Sequence, residues 1–240
     1  MSWNGYEQPR APEPSPVWCW NSPEYDDAEQ PSFASSSLSH PVFGELFHCE
    51  TYKASETIRA LGAPIKEFGI VVEGCLKSIR YSLNGNELCN AYFEKDDVFP
   101  ELLYFTGNGA CTYNLVAVKK STVAWLDTLH FELMLKTDAR LMYRFMLYLS
   151  KRGLKNQNLL SCLRYHTIRE RVASWLVWME RIAPGDFVQL PFSQTIWANE
   201  LRVSRSSLNQ EVKRMEEQGY FRTRGRWLEV LDREGLEALL

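Results

Sequence analysis

Apolar residues between positions 42 and 127 fall in short runs rich in β-branched and aromatic side chains, at 68–72, 76–81, 87–93, 113–118 and 121–126. Turn residues punctuate them: Glu73-Gly74, Asn84-Gly85-Asn86, Asp96-Asp97, Gly107-Asn108-Gly109 and Lys119-Lys120. Closely spaced strands of this kind predict a sandwich or barrel-like roll. Asn84-Gly85 predicts a tight hairpin, because both residues tolerate positive φ. The pattern then changes period. Residues 139–163 contain no proline and carry two heptad rows, Met142, Leu149, Asn156 and Leu163 beside Phe145, Arg152 and Leu159. A stripe this narrow suits pairing with an identical helix, with Asn156 fixing the register. Arg152 and Gly153 argue the other way, for an unpaired amphipathic helix. Thr167-Ile-Arg-Glu170 is a capping box that starts a new helix after a break near His166. That break is the expected domain boundary and hinge.

Two short helices follow. Ser193 is placed to cap the first, whose inner face is Ile196, Ala198 and Leu201. Ser204 is placed to cap the second, where Leu208, Val212 and Met215 recur at helical spacing. Arg205, Ser206, Asn209, Gln210 and Lys213 lie on the opposite face, a set able to bond to base edges and phosphates. This is the composition of a helix-turn-helix; alone, it is equally that of a helical hairpin with a solvated face. Residues 219–230 read as two strands turning at Arg224-Gly225, a basic wing.

Composition changes this picture in one place. The net charge of −3 does not advertise a polyanion-binding protein. Residues 202–226, however, hold seven basic residues against Glu211, Glu216 and Glu217, so a polyanion is the expected partner of this end. Residues 1–40 are the reverse: Arg10 stands against six acids, with six prolines and Ser35-Ser36-Ser37. A disordered arm is expected there, with Trp3, Trp18, Trp20 and Tyr25 available for docking. The six cysteines are scattered, without zinc spacing, as suits reduced thiols in a cytoplasmic protein. No apolar run reaches membrane-spanning length, and the N-terminus lacks a signal-peptide pattern. No nucleophile–base set or phosphate-cradling glycine loop suggests an enzyme.

The order of roll, long helix and winged helix-turn-helix resembles the CRP/FNR family of bacterial transcription regulators from about Phe43 to Leu240. The phrases that carry the resemblance are Val72-Glu-Gly74, Asn84-Gly-Asn-Glu-Leu88, Asp97-Val-Phe-Pro-Glu101, Arg171-Val-Ala173, Val203-Ser-Arg-Ser-Ser-Leu208 and Met215-Glu-Glu-Gln-Gly219. It implies an α+β fold: after the arm (1–40), a cyclic-nucleotide-binding-type β-roll (41–138), a central dimerisation helix (139–165) and a winged helix-turn-helix domain (166–240). It implies a homodimer on a two-fold-symmetric site in double-stranded DNA, an effector in the β-roll and, for an activator, RNA polymerase as partner. The expected DNA contacts are Ser193, Gln194, Arg202, Ser204, Arg205, Ser206, Ser207, Asn209, Gln210, Lys213, Arg224 and Arg226. The expected effector pocket is Glu101, Cys111, Thr112, Asn156 and Gln157, and the expected dimer seam is Met142, Phe145, Leu149, Asn156, Leu159 and Leu163.

Departures from the family pattern carry further expectations. Cyclic-nucleotide-binding members have Gly-Glu and then Arg-Ser or Arg-Thr, the arginine pairing with the cyclic phosphate. Here the pairs are Pro100-Glu101 and Cys111-Thr112, so cyclic AMP is not the expected effector. The arm has one cysteine, Cys19, against the cluster of the iron–sulfur members. His48, His130 or His166 as a haem ligand, and Cys111 as a redox sensor, are the alternative readings, together with a ligand-binding module that contacts protein in place of DNA. Where the family's recognition helix reads Ser-Arg-Glu-Thr-Val-x-Arg, Ser206 replaces the glutamate and Gln210 the second arginine. The half-site is expected to differ accordingly. Arg202 stands where the turn often has glycine.

Overall fold

A computed structural model describes residues 31–182, 187–191 and 193–240. Most of the expected arm therefore lies outside the described residues. Its end does not fit the expectation of disorder: α1 (Phe33–Leu38) is a short helix, capped by the Ser32 hydroxyl accepting from Ser35 N–H at 3.0 Å. The serines that read as linker instead return their hydroxyls to the helix backbone, Ser36 to Ser32 O at 2.7 Å and Ser37 to Phe33 O at 2.9 Å. That satisfies them internally and frees Phe33 to bury its ring against Phe131 and Phe145.

The roll comprises β1 (His48–Tyr52), β2 (Thr57–Arg59), β3 (Glu67–Glu73), β4 (Leu76–Tyr81), β5 (Glu87–Phe93) and β6 (Val98–Phe99), then α2 (Glu101–Phe105), β7 (Asn114–Ala117) and β8 (Ser121–Asp127). They form two antiparallel four-stranded sheets, β1-β8-β3-β6 and β2-β7-β4-β5. Strand alternation divides the core. Phe68 and Ile70 of β3 and Leu126 of β8 face a helical layer. Val71, Val123 and Trp125 face the second sheet with Leu76, Phe93, Phe99 and Leu115. Gly69 sits where an added Cβ would come within 2.4 Å of the Phe99 ring, so its bare backbone lets Phe99 and Trp125 fill the roll's interior.

Two aspartates begin the helices behind the roll. Asp127 caps α3 (Thr128–Thr137) and Asp138 caps α4 (Ala139–Cys162), each through its own side chain. The α4 start is where the sequence places it. After the break, Thr167 and Glu170 form the expected reciprocal cap, at 3.2 and 2.9 Å, and α5 (Ile168–Ile182) follows. Then come β9 (Phe187–Gln189), α6 (Gln194–Glu200), α7 (Arg205–Glu217), β10 (Phe221–Arg224), β11 (Trp227–Val230) and α8 (Arg233–Glu237). The wing turns through Gly225-Arg226, one residue later than expected, and β9 adds an unforeseen third strand beside β11. Trp175, Leu176, Trp197, Leu201, Leu208 and Met215 are buried together as the second domain's core. No described helix is long and apolar enough to cross a membrane.

Candidate DNA interface and effector pocket

Both predicted caps of the helix-turn-helix form. Ser193 Oγ accepts from Ile196 N–H at 3.2 Å, and Ser204 Oγ from Ser207 N–H at 3.0 Å. Leu208 and Met215 are fully buried, which mounts α7 and fixes which face looks out. Arg205, Ser206, Gln210 and Lys213 are exposed on that face, and Gln194 is exposed at the start of α6. Ser193, Ser207 and Asn209 are half-buried, so they offer less to a partner than the periodicity suggests. In the wing, Arg224 and Arg222 reach Glu229 at 3.2 and 3.7 Å, and Arg226 is exposed.

The sequence analysis missed what orients this unit. Arg171 donates to Tyr165 O and to Leu201 O, both at 2.9 Å, tying the hinge to the helix-turn-helix turn. Arg169 meets Glu211 at 2.6 Å, joining α5 to α7. The phrase Arg171-Val-Ala173 marked the place but not the role.

Arg202 departs from its expected place. Its φ is 55°, the left-handed value that a glycine adopts without cost, so the turn has its usual shape around an unusual residue. Arg202 is exposed and is among the residues that line a cleft between the domains. Arg202→Gly is expected to raise the unfolding free energy by about 1 kcal/mol. A urea midpoint at or below the parent's would mean that the arginine's contacts outweigh the strain.

The expected effector residues do not form one pocket. Glu101 is 2 % exposed, and Arg152 of α4 lies 3.4 Å from it and 3.9 Å from Asp97. Arg152 also donates to Val98 O at 3.2 Å and stacks 4.7 Å from the Phe93 ring centre. Burial pushes the Glu101 carboxyl up to about 6, with Arg152 opposing. Cys111 is buried on the far side of this region, against a cavity of about 10 Å³ enclosed by Arg59, Phe99, Tyr113 and Trp125. That space holds one water at most. Arg59 lies 3.9 Å over the Trp125 ring, so side chains occupy the interior. Cys111 and Thr112 both line an open outer concavity of about 650 Å³, where the Thr112 carbonyl accepts from Arg80 at 2.6 Å. Asn156 lines the interdomain cleft, and Gln157 is exposed. Burial raises the thiols of Cys75, Cys89, Cys111 and Cys162. His48 sits beside Glu50 and Glu67, His130 on Asp127, and His166 is exposed.

The expected seam is corrected. Phe145 is 3 % exposed, packed against Phe33, Phe105 and Phe131, and Met142 and Leu149 join the same cluster. Leu159 packs on the second domain's core, while Asn156 and Leu163 line the cleft. Arg152 in the same rows turns to Glu101 and Asp97 of its own chain, while Asn156 is exposed. The outward rows lie one residue further on, about 100° round the helix. Met146 and Leu160 there are 58 and 68 % exposed, with Gly153 open beside them, and Leu154, a further residue round, is 48 % exposed.

Comparison with known proteins agrees with this geometry. The model of the cyclic nucleotide-binding domain matches residues 49–138, and that of the Crp-like helix-turn-helix domain matches residues 170–239. The structure of FixK2 from Bradyrhizobium japonicum is similar at a TM-score of 0.60 and 19 % identity, over 80 % of this chain and 96 % of that one. That of a CooA variant from Carboxydothermus hydrogenoformans is similar at 0.66 and 16 %, over 85 % and 94 %. OCPA-complexed CprK is similar at 0.64 and 13 %, over 87 % and 95 %. No curated protein matches the chain by sequence. With a β-roll, a long linking helix and a winged helix-turn-helix in this order, and both domains matched, the chain belongs to the CRP/FNR family of bacterial transcription regulators.

Proposed function

We propose that this regulator works in the cytoplasm as a homodimer on a two-fold-symmetric promoter site, under control of a small effector other than cyclic AMP. The observation that carries the DNA reading is α7, held inward by Leu208 and Met215 with Arg205, Ser206, Gln210 and Lys213 on its open face. Such a helix enters a major groove with its first turn on base edges. Arg205 suits guanine O6 and N7, and Gln210 suits adenine. Arg205→Ala is expected to weaken binding to the selected site by about 1–3 kcal/mol, roughly 5- to 150-fold. A mobility shift reads this, and affinity should fall steeply with salt. Binding selection should return a half-site with adenine opposite Gln210 and no cytosine preference at Ser206. Recovery of the family's common half-site unchanged would defeat that assignment.

Dimerisation is assigned to the exposed side of α4 that carries Met146 and Gly153, with Leu154 at its edge, where two copies can pair about a two-fold axis. Against cyclic AMP stand the position of Cys111, where nucleotide-binding relatives carry the phosphate-pairing arginine, and the filled interior beside it. The raised Cys111 thiol disfavours a thiolate sensor there. RNA polymerase is the further partner if the protein activates transcription. Absence of a salt-dependent DNA shift would favour the alternative of a protein-contact module.

A further inference from the structure

We infer that the cleft between β5, α4 and α6 is the effector site, and that it takes a small organic anion whose acid group pairs with Arg202. This rests on the effector-responsive reading above and names its site and ligand class. The cleft measures about 390 Å³, within the range of small-molecule sites, whereas the inner cavity among Arg59, Phe99 and Tyr113 measures about 10 Å³. Leu102, Leu159, Leu160 and Leu163 give it an apolar side, while Tyr92, Asn156 and Arg202 bring polar groups to it.

Its charges select the ligand. Arg152 is held by Glu101 and Asp97, and Lys155 by Glu200 at 3.4 Å. Arg202 has no acid in ion-pair range among the described residues, and it lines the cleft together with Cys89. Arg202 is thus the cleft's cation without an ion-pair partner among the described residues, and leucines line the same space. A carboxylate or phosphate with an apolar body matches both. Glu200 Oε2 is buried without a hydrogen-bond partner among the described residues, which leaves an acceptor for one donor on the same molecule. The backbone supplies an independent sign. The other non-glycine residues with positive φ, Ser55 and Asp96, have short side chains, whereas Arg202 keeps a long cation in that conformation at the cleft.

The location couples ligand to DNA. Arg202 belongs to the helix-turn-helix turn and the leucines to α2, α4 and the hinge, so one molecule touches both domains. The domains already meet there through Asn199 Nδ2, which donates to Tyr92 Oη at 2.6 Å. An anion drawing Arg202 toward the leucines biases that contact, and DNA and ligand then alter each other's affinity equally.

The test is calorimetric titration of the full chain with octanoate and 4-cyclohexylbutyrate, each against its primary amide. At least one acid should bind ten or more times tighter than its amide, and Arg202→Gly should lose that advantage. The variant suits the φ of 55° and is expected to melt no lower than the parent, so its loss of binding is not unfolding. No binding of either acid, equal binding of acid and amide, or undiminished binding by Arg202→Gly would overturn the assignment. A mobility shift of the parent without ligand is run separately. Intact DNA binding with no ligand binding defeats this inference alone, and the reverse defeats the regulator reading alone.

Discussion

Arg152→Leu is expected to lower the thermal midpoint by roughly 10 °C near pH 7.5, and by clearly less at pH 5. Arg152 is the cation for Glu101 and Asp97, and Glu101 is almost wholly shielded from water. Removing one partner of a buried ion pair costs about 3–5 kcal/mol, because the other charge stays buried alone. For a chain of this size each kcal/mol moves the midpoint by about 2–4 °C. The pH dependence follows from Glu101. Its folded value, about 6, stands above the ordinary 4.5, so the native state binds this proton more tightly than the unfolded chain. The stabilisation from that proton is complete below pH 4.5 and is lost as pH rises through about 6. Without Arg152 the folded value rises further, the ionised form costs more, and the defect is largest above pH 6. Protonation at pH 5 relieves it. Glu101→Gln in the Arg152→Leu background should recover much of the loss, since the two positions are coupled. Calorimetric melts at both pH values decide. A loss under about 1 kcal/mol that ignores pH would mean the pair is solvated.

Met146→Glu with Leu154→Glu is expected to convert a dimer to a 27.9 kDa monomer and to weaken binding to a two-half-site DNA about 100- to 10,000-fold. Both side chains are largely exposed in one protomer, so the fold should survive and the far-ultraviolet spectrum should not change. In a two-fold pair, four carboxylates would instead meet across a seam that should be apolar. The affinity loss follows because a dimer binds its second half-site at the effective concentration set by the first. Native mass spectrometry and a mobility shift read the two effects. A monomeric parent, or a variant dimer as stable as the parent, would remove this face from the account.

Local chemistry was the legible part of this molecule. Ser193, Ser204 and the Thr167–Glu170 box bond where the sequence puts them, because a cap depends on residues three positions apart. The strands at Leu76–Tyr81 and Glu87–Phe93 were equally readable around Asn84-Gly85. What failed depended on partners distant in sequence. The heptad count found the right helix, but it cannot tell which of its residues, Phe145 above all, pack on the chain's own roll. Arg152 in the inward row was the available sign. The strands His48–Tyr52 and Thr57–Arg59 are short and mostly polar, and they exist through pairing with β8 and β7. The effector residues followed the family pattern, yet Glu101 is taken by Arg152, and Cys111 abuts an aromatic interior, while Asn156 lines a separate cleft at the domain junction.

The most direct measurement is selection from a random-sequence duplex pool with the full chain, repeated with Arg205→Ala. The account predicts enrichment of a two-fold-symmetric sequence whose half-sites lie about one helical turn apart, roughly 34–36 Å between centres or a multiple of it. Affinity for it should fall steeply with salt, and Arg205→Ala should relax the preference at one position in each half. A pool without enrichment, or an asymmetric sequence bound equally by Arg205→Ala, would contradict the account.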